Sequence, residues 1–389
     1  MEIKEVKGVV KNYAWGNRDF IPSLLGGYDG EPQAEYWMGT HPSGEAVIVG
    51  GEKLSEYLAS DDGILGDVNV AKWGRRLPLL FKILAIASPL SLQCHPDRAQ
   101  AQEGWKREEQ LRKEGKPYNY QDDNPKAEIL VALTPVSAMC GFRENEEIQK
   151  NLSKILPTTY DKYLSEYADD NQKLFMRLYV LSENERLEVL SEYAEGLKAS
   201  SDPAMDGEYL TEKGIGVRAL EIYPGDIGAL FPFILNVMHL KPGEGIFLKP
   251  DTLHAYVLGN GVELMDASDN VLRGGLTKKR IDLDELKRIM VFDSEEAHVA
   301  SVHEDVWGRT VYETPTDGFT LLSADSGLYS IRENRVMLGI VTEGKVDFNV
   351  DDESVSFEKG QCFIIPHKIS EYYMRIFGNV FFAAVTEDM

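Results

Sequence analysis

Short apolar runs separated by turn residues dominate the first third of the chain. From Tyr13 to about Gly141, glycine, proline, asparagine and aspartate interrupt these runs repeatedly, which is typical of strands joined by turns. The largely apolar run from Leu77 to Leu92 predicts a buried strand that leads into the segment Ser91 to Asp97. A charged, glutamine-rich stretch from Arg98 to about Gly115 predicts one helix among the strands.

The pattern changes between about Arg143 and Ser200. Glutamate and lysine are dense there, glycine is nearly absent, and leucines recur at helical spacing. Ser182 and Glu185 have the spacing of a capping box, in which each residue bonds the backbone of the other at the start of a helix. This region is therefore predicted to be a helical insertion.

The pattern of short apolar runs separated by turn residues returns near Gly214 and continues to the end of the chain. Tyr223 to Asp226 and Lys241 to Glu244 are turn signals before apolar runs, and Leu276 to Met290 predicts one more helix. Many short strands without a regular alternation of strand and helix favour sandwiches or barrels over a parallel sheet.

The predicted fold is therefore mainly β, with two jelly-roll bodies and an α-helical domain. We expect residues 1–142 and 215–298 to form one β body, with the helical insertion 143–214 between its two parts. Residues 299–389 are expected to form the second body. A chain of 389 residues is longer than one hydrophobic core usually organises, which agrees with several domains.

The charge of the chain limits its partners. It has 41 basic and 64 acidic residues and a formal net charge of -23, which repels phosphate backbones and anionic membranes. Nucleic acid and membrane surfaces are therefore not expected as partners. A small anionic substrate would be repelled as well, unless a local cluster of basic residues lies at its site.

Cysteine usage and the N-terminal residues predict a cytoplasmic protein. The three cysteines, Cys94, Cys140 and Cys362, are widely spaced and include no CxxC pair, so a disulfide scaffold and a cysteine zinc knuckle are not expected. The first residues are charged where a signal peptide would be apolar, and no apolar stretch is long enough to cross a bilayer.

The segment Ser91 to Asp97 holds the first candidate for chemistry. Side chains of a strand alternate between its two faces, so Gln93 and His95 should point to one side and Cys94 to the other. Gln93 and His95 could then offer two ligands to one metal ion. Alternatively, His95 is a core histidine that precedes a turn at Pro96.

Two further segments carry candidate ligands. Lys126 and Glu128 precede the apolar run Ile129 to Leu133 and should share a strand face, either in a cavity or as an exposed ion pair. His254 and Tyr256 share a face after the turn at Pro250 and Asp251, a pattern that is similar to a cupin metal site. Two imidazoles, a carboxylate and an amide oxygen form a mixed set that suits zinc, with room for water or substrate.

Six stretches together make the chain recognisable. They are Asn12 to Gly16, Ala34 to Gly39, Leu77 to Pro96, Pro125 to Leu133, Phe247 to Tyr256 and Ser268 to Thr277. In these stretches, and in their order, the chain resembles the type I mannose-6-phosphate isomerases, also called phosphomannose isomerases. Each stretch alone is a weak signal, whereas the ordered set is specific.

The resemblance implies a zinc enzyme with one ion per chain that interconverts mannose 6-phosphate and fructose 6-phosphate through an enediolate. It implies four metal ligands, which are Gln93, His95, Glu128 and His254. It implies two catalytic residues, Arg273 and Lys126, and three residues that bind the substrate, Ser91, Lys82 and Lys279. The first β body would then be a zinc-binding cupin domain, with His254 and Arg273 in its second part.

The chain departs from the family pattern in places, one of which is Cys94, where a small aliphatic residue is common. Many members carry His-Lys-Pro-Glu where this chain has Pro125 to Glu128, so a catalytic histidine beside the lysine does not apply here. The segment Gly360 to His367 keeps a cupin-like turn but places its histidine directly after the proline, so the C-terminal body is expected to be metal-free.

Several alternatives remain open from the sequence. Glu35 and Trp15 either line the cavity or pack in the core, and His41 is expected to be structural. A non-catalytic sugar-binding cupin would keep the fold and the metal without turnover. Another metal-dependent sugar isomerase or epimerase would use the same pocket for a different sugar.

Overall fold

The structure is a computed structural model that describes residues 2–28, 30–351 and 353–386. Within these residues the strands form three sheets. In chain order the strands are β1 (Lys4–Lys7), β2 (Val9–Lys11), β3 (Glu35–Met38), β4 (Val47–Ile48), β5 (Leu79–Ile86), β6 (Leu92–Cys94), β7 (Glu128–Ala132), β8 (Val136–Phe142), β9 (Met205–Asp206), β10 (Tyr209–Leu210), β11 (Leu235–Leu240), β12 (Gly245–Leu248), β13 (His254–Asp266), β14 (Leu272–Gly275), β15 (Val302–Glu304), β16 (Thr310–Tyr312), β17 (Phe319–Ile331), β18 (Met337–Val350), β19 (Glu353–Glu358), β20 (Cys362–Ile365) and β21 (Tyr372–Val385).

Helices lie mainly between β8 and β11. In chain order the α-helices are α1 (Phe20–Leu25), α2 (Leu54–Ser60), α3 (Asp62–Leu65), α4 (Asp67–Trp73), α5 (Arg98–Arg107), α6 (Glu109–Lys113), α7 (Asn145–Ile155), α8 (Pro157–Tyr163), α9 (Asn171–Tyr179), α10 (Glu183–Ala199), α11 (Glu212–Ile222) and α12 (Leu283–Ile289). Two 3₁₀ helices cover Ser165–Tyr167 and Ile227–Phe233. In the described part of the chain, every helix is too short or too polar to cross a membrane.

The mainly β fold with a helical region is confirmed. Helices α7 to α10 occupy the predicted insertion, and Ser182 and Glu185 form the predicted capping box at the start of α10. The Glu185 carboxylate accepts a hydrogen bond from the Ser182 N–H at 2.7 Å.

The predicted return of strands near Gly214 is wrong, because α11 covers that region. Its glycines serve close packing and not a turn. A Cβ at Gly214 would lie 1.9 Å from the Ala204 carbonyl oxygen, and one at Gly216 would lie 2.2 Å from the Tyr193 hydroxyl. Glycines in this region therefore mark a tightly packed helix and not the start of strands and turns.

Several other element boundaries differ from the prediction. The stretch from Arg98 to about Gly115 forms two helices, α5 and α6, and helices α1 to α4 lie in the region that was predicted to contain only one helix. The run from Leu77 to Leu92 forms two strands, β5 and β6, with Ser88 and Pro89 between them. Helix α12 begins at Leu283 and not near Leu276, because Leu276 has a positive φ of 49° that no helix interior adopts. Asp282 caps the helix by accepting a hydrogen bond from the Glu285 N–H at 3.1 Å.

Strand β13 organises the first large sheet, which has ten strands in the part of the chain that the structure describes. It pairs antiparallel with β5, β6, β7 and β8. An apolar cluster that includes Leu84, Leu130, Val136 and Tyr256 fills the inner side of this body. Segments far apart in the sequence therefore meet along one long strand.

The second large sheet has nine strands in the described residues, and β18 and β21 form its centre. The N-terminal strand β1 pairs with both β20 and β4 in this sheet. Residues 4–7 and 47–48 thus join the C-terminal body, although they lie within the segment 1–142. The proposed domain boundaries stay a prediction.

The two β bodies pack against each other through one shared core. Phe81 and Ile129 of the first sheet belong to the same buried cluster as Leu338 and Phe381 of the second. The helical region packs on the other side of the first sheet, where Leu92, Cys94 and Ala255 contribute to its core. Cys94 therefore points away from Gln93, as strand alternation predicted.

A bulge in β13 changes which residues face the interior. Tyr256 pairs with Ala138 and Leu258 pairs with Ser137, so Val257 has no partner of its own on β8. One extra residue reverses the alternation of faces downstream. Met265 lies an odd number of residues after His254, yet it lines the same cavity as Gln93, the strand partner of His254.

The end of β13 fixes the start of β7 through Asp266. The Ala127 N–H donates to the Asp266 carboxylate at 3.0 Å, and the Asp266 N–H donates to the Ala127 carbonyl at 3.1 Å. Asp266 is only 5% exposed. Burial raises the pKa of its carboxyl to about 7, against the opposing effect of the Ala127 hydrogen bond.

The raised pKa of Asp266 predicts a pH dependence of stability. The folded protein keeps this proton up to about pH 7, whereas the unfolded chain releases it near pH 4, so the contribution of Asp266 to stability should fall as pH rises from about 4 to about 7. Asp266→Asn should remove this slope and be more stable than the wild type at pH 8 by on the order of 4 kcal/mol. Urea denaturation of both proteins across this pH range checks the prediction. Identical slopes, with exposed Asp123→Asn as the control, would contradict it.

Candidate active site

Three buried side chains with metal-binding atoms converge at one end of the first β body. His95, Glu128 and His254 each offer a ligand atom, and these atoms all lie within 4.8 Å of one another. The Nε2 atoms of His95 and His254 lie 3.4 and 3.5 Å from Glu128 Oε2. The three residues are 2% to 3% exposed, which is rare for charged groups without a partner.

The sheet register brings these side chains together. His254, the first residue of β13, pairs with Gln93 of β6. Glu128, the first residue of β7, pairs with Met265 near the other end of β13 and with Leu248 of β12. His95 follows directly after β6. The group therefore lies at the ends of paired strands in one sheet.

Backbone carbonyls orient both imidazoles. His95 Nδ1 lies 2.9 Å from the Asn270 carbonyl oxygen, and His254 Nδ1 lies 2.9 Å from the Thr252 carbonyl oxygen. A carbonyl only accepts, so each Nδ1 carries the proton and a neutral ring then has its free lone pair on Nε2. Both free lone pairs face Glu128.

Burial and nearby charges set the protonation of the group. Burial, assisted by the Lys126 ammonium, lowers the pKa of His95 to about 4. Burial would raise the pKa of Glu128, but Lys126 and His95 outweigh it and hold that pKa well below its ordinary value. At neutral pH the site therefore presents a neutral His95 and an ionised Glu128, the forms that bind a metal.

The donor set fits a zinc ion. Nitrogen and carboxylate ligands without a thiolate are typical of catalytic zinc sites, and both imidazoles have carbonyl partners behind them. Lys126 Nζ contacts Glu128 Oε1 and lies 3.3 Å from His95 Nε2. The set thus already accommodates a positive charge.

Gln93 lies beside this group but its role as a fourth ligand stays a prediction. Its backbone pairs with His254 on one side and with Arg273 on the other. Its side chain lines the adjacent cavity. Cys94 is fully buried on the opposite face, where burial raises the pKa of its thiol well above the ordinary value.

A cavity of about 540 Å³ lies next to the metal-binding group, because Lys126, which contacts Glu128 and lies 3.3 Å from His95 Nε2, lines it. Every other residue that the sequence analysis assigned to catalysis or substrate binding lines it, namely Ser91, Lys82, Lys126, Arg273 and Lys279. Trp15 and Glu35, whose role the sequence left open, line it as well. The predicted pocket residues are therefore brought together.

Neither Arg273 nor Lys279 forms an ion pair with a carboxylate among the described residues. Burial lowers the pKa of the Arg273 guanidinium. The proximity of Arg273, followed by burial, lowers the pKa of Lys279. In a chain with a net charge of -23, two such cations in one cavity create the local attraction for anions that the sequence analysis required.

Lys82 differs from these two cations because it is paired. Its Nζ lies 2.7 Å from Glu263 Oε2, and both side chains are buried. Burial would lower the pKa of Lys82, but Glu263, Glu35 and Glu128 outweigh it and raise that pKa. Lys82 is thus a charged residue in the cavity wall whose charge is balanced by its neighbours.

Sequence reasoning missed Glu263 and Asp269. Glu263 stands directly opposite Lys82 in the sheet, but the bulge at Val257 hides its face from a simple alternation rule. Asp269 lines the cavity and lies 3.1 Å from His41 Nε2. It falls within the matching stretch Ser268 to Thr277, which was the available signal.

Comparisons with known proteins agree with this geometry. Residues 3–145 match the family model of the phosphomannose isomerase type I catalytic domain. Mannose-6-phosphate isomerase from Shigella flexneri is 36% identical over 300 residues, which cover 74% of this chain and 75% of that protein. The human mannose-6-phosphate isomerase is 32% identical over 352 residues, covering 81% and 80% of the two chains.

Solved structures extend the likeness to the whole fold. A crystal structure of a point mutant of phosphomannose isomerase from Salmonella typhimurium superposes with a TM-score of 0.90 at 28% identity and covers all of both chains. A mannose 6-phosphate isomerase bound with zinc and yttrium superposes over the same extent with a TM-score of 0.89, also at 28% identity.

Fold and site together define a cupin-like protein with a buried histidine and carboxylate metal-binding group beside a cationic cavity. More particularly, the chain belongs to the type I phosphomannose isomerase family.

The buried Lys82 and Glu263 pair makes a testable prediction about stability. Lys82→Met leaves the Glu263 carboxylate buried without its partner and should destabilise the protein by about 3–5 kcal/mol. The double variant Lys82→Met with Glu263→Leu removes both charges and should regain most of that loss. Urea denaturation of the two variants and the wild type measures this. Equal losses in the single and double variants would show that the ion pair is not the cause.

Proposed function

We propose that this protein interconverts mannose 6-phosphate and fructose 6-phosphate and uses a zinc ion for the reaction. One observation carries the proposal: the buried His95, Glu128 and His254 group lies next to a cavity, lined by Lys126, in which Arg273 and Lys279 form no ion pair with a described carboxylate. Membership of the type I phosphomannose isomerase family supplies the substrate class. One zinc ion per chain and a cytoplasmic location belong to the same proposal.

His95, Glu128 and His254 would hold the zinc ion, with Gln93 as the fourth ligand. A bound zinc ion would supply Lewis acidity and a fixed positive charge for the oxygens of the sugar. Lys126 lies between His95 and Glu128, so its ammonium would add a second positive charge at the same point.

The reaction moves a proton between the first two carbons of the sugar through an enediolate, and negative charge develops on oxygen. Arg273 and Lys126 line the cavity in which the sugar, and therefore that oxygen, would lie. Fixed cations in a site shielded from water stabilise such a charge more than water does, because they need no reorganisation. These two residues are therefore our proposed catalytic residues.

The phosphate needs cations that are not already neutralised. Lys279 meets this condition, and Ser91 lines the same cavity and could donate a hydrogen bond. Lys82 is engaged by Glu263, so we assign it to the cavity wall near the substrate and not to the main phosphate contact. Its predicted role in substrate binding stays a proposal.

Turnover of mannose 6-phosphate tests the proposed function directly. The zinc-loaded protein should form fructose 6-phosphate, and a chelator should abolish the activity until zinc is restored. A coupled assay for fructose 6-phosphate measures both. Binding of the sugar phosphate without turnover would instead support a non-catalytic sugar-binding cupin, and turnover of a different sugar only would support another isomerase or epimerase.

Arg273 offers a sharper test of the site assignment. Arg273→Met should lower kcat/KM by about 10²–10³-fold, which is typical for loss of one group that stabilises a transition-state charge. Arg280→Met is the matched control, because Arg280 is exposed, pairs with Asp282 and is absent from the lining of the substrate cavity. Steady-state kinetics of both variants check this. An unchanged kcat/KM in Arg273→Met would remove Arg273 from the proposed mechanism.

A further inference from the structure

The geometry points to a positioning role for Asn270, which we propose holds the metal-binding group in register through a hydrogen-bonded clamp. The clamp comprises residues 121–124, before β7, and residues 268–270, before β14. The inference rests on the proposed function, because the clamp is proposed to affect the binding of the zinc ion. It concerns residues that bind neither metal nor sugar in that proposal.

Asn270 is fully buried, and its side-chain amide is saturated with hydrogen bonds. Its Oδ1 accepts from the Gln121 N–H at 2.7 Å and from the Asp122 N–H at 3.3 Å. Its Nδ2 donates to the Asp122 and Asn124 carbonyls, both at 2.9 Å, and to Asp122 Oδ1 at 3.2 Å. A single amide thus ties one loop to the other.

Asp122 reinforces the clamp from the opposite loop. Its Oδ2 accepts from the Asp269 N–H at 2.8 Å, and its Oδ1 accepts from the Ser268 hydroxyl at 2.8 Å. The same Oδ1 accepts from the Asn124 N–H at 3.0 Å. The network is centred on the buried Asn270 and Ser268, and its many mutual hydrogen bonds favour one geometry of the two loops.

The clamp connects directly to the metal-binding group. The Asn270 carbonyl is the acceptor of the His95 Nδ1 proton at 2.9 Å. The loop 121–124 leads into Lys126 and Glu128, and the loop 268–270 leads into Arg273. The clamp therefore sets the ring orientation of His95 and the position of the segment that carries Glu128.

Substitution of the amide should weaken metal binding without removing a ligand. In Asn270→Asp a carboxylate oxygen would face the three acceptor oxygens that Nδ2 now satisfies, so the loops should separate and the Asn270 carbonyl should move from His95. Loss of such supporting contacts lowers metal affinity by about 10–100-fold. Asp122→Asn removes the charge, and its amide nitrogen cannot accept, so the variant loses the hydrogen bond from either the Asp269 N–H or the Asn124 N–H and should shift the affinity in the same direction.

The test is the zinc affinity of purified protein, measured by competition with a chelating dye, with circular dichroism as the check on folding. Asn171→Asp is the matched control, because Asn171 is 5% exposed and donates to the Phe292 carbonyl in the helical region. Asn270→Asp and Asp122→Asn should each bind zinc about 10–100-fold more weakly than the wild type. Asn171→Asp should bind zinc like the wild type. Wild-type affinity in the folded clamp variants would overturn the inference.

If the clamp variants do not fold, a measurement on the wild type tests whether the clamp supports zinc binding. Coupling is reciprocal, so a clamp that strengthens zinc binding must itself be stabilised by zinc. Hydrogen exchange of the clamp amides, those of Gln121, Asp122, Asp269 and Asn270, should slow when zinc is added, and unchanged exchange would overturn the inference. Absence of zinc binding by the wild type would overturn this inference and the proposed function together. Wild-type zinc binding and turnover with unaffected clamp variants would overturn the clamp alone.

Discussion

The charge of the buried Glu128 carboxylate is the constraint on which the rest of the site depends. An isolated carboxylate at 3% exposure would be strongly destabilising. Here Lys126 contacts one oxygen, and the other faces the free lone pairs of the His95 and His254 Nε2 atoms, which offset its charge only through a shared cation. The sheet therefore has to deliver three distant segments to one point, and β13 does so by pairing with β6 and β7. The same need explains why cations collect here in an acidic chain.

Strand alternation was sufficient to predict the parts of the site that lie on regular strands. It placed Gln93 and His95 on one face and Cys94 on the other, and the structure buries Cys94 in the helical core. It also placed Lys126 and Glu128 side by side, and burial resolves the choice between a cavity and an exposed ion pair. The mainly β fold and the helical region followed from the spacing of apolar residues and turn signals.

The remaining features depend on contacts between residues far apart in the sequence. The bulge at Val257 decides which face Glu263 occupies, and it exists only because β8 pairs with β13. The clamp joins Asp122 to Asn270 across 148 positions, and the sequence marks neither residue as a partner of the other. Gly214 was misleading for the same reason, since its purpose is contact with Ala204. Local sequence patterns specify helices and strands, whereas the bulge, the clamp and the glycine contact depend on packing between distant segments.

Anomalous diffraction at the zinc edge, from crystals of the zinc-loaded protein, tests the central claim most directly. We predict one anomalous peak per chain, bonded to His95 Nε2, His254 Nε2 and a Glu128 oxygen at about 2.0–2.2 Å. Such a peak would show that the ion binds next to the Glu128 carboxylate, whose buried charge a cation would offset. A protein that binds zinc elsewhere, with these three side chains free of metal, would contradict the account.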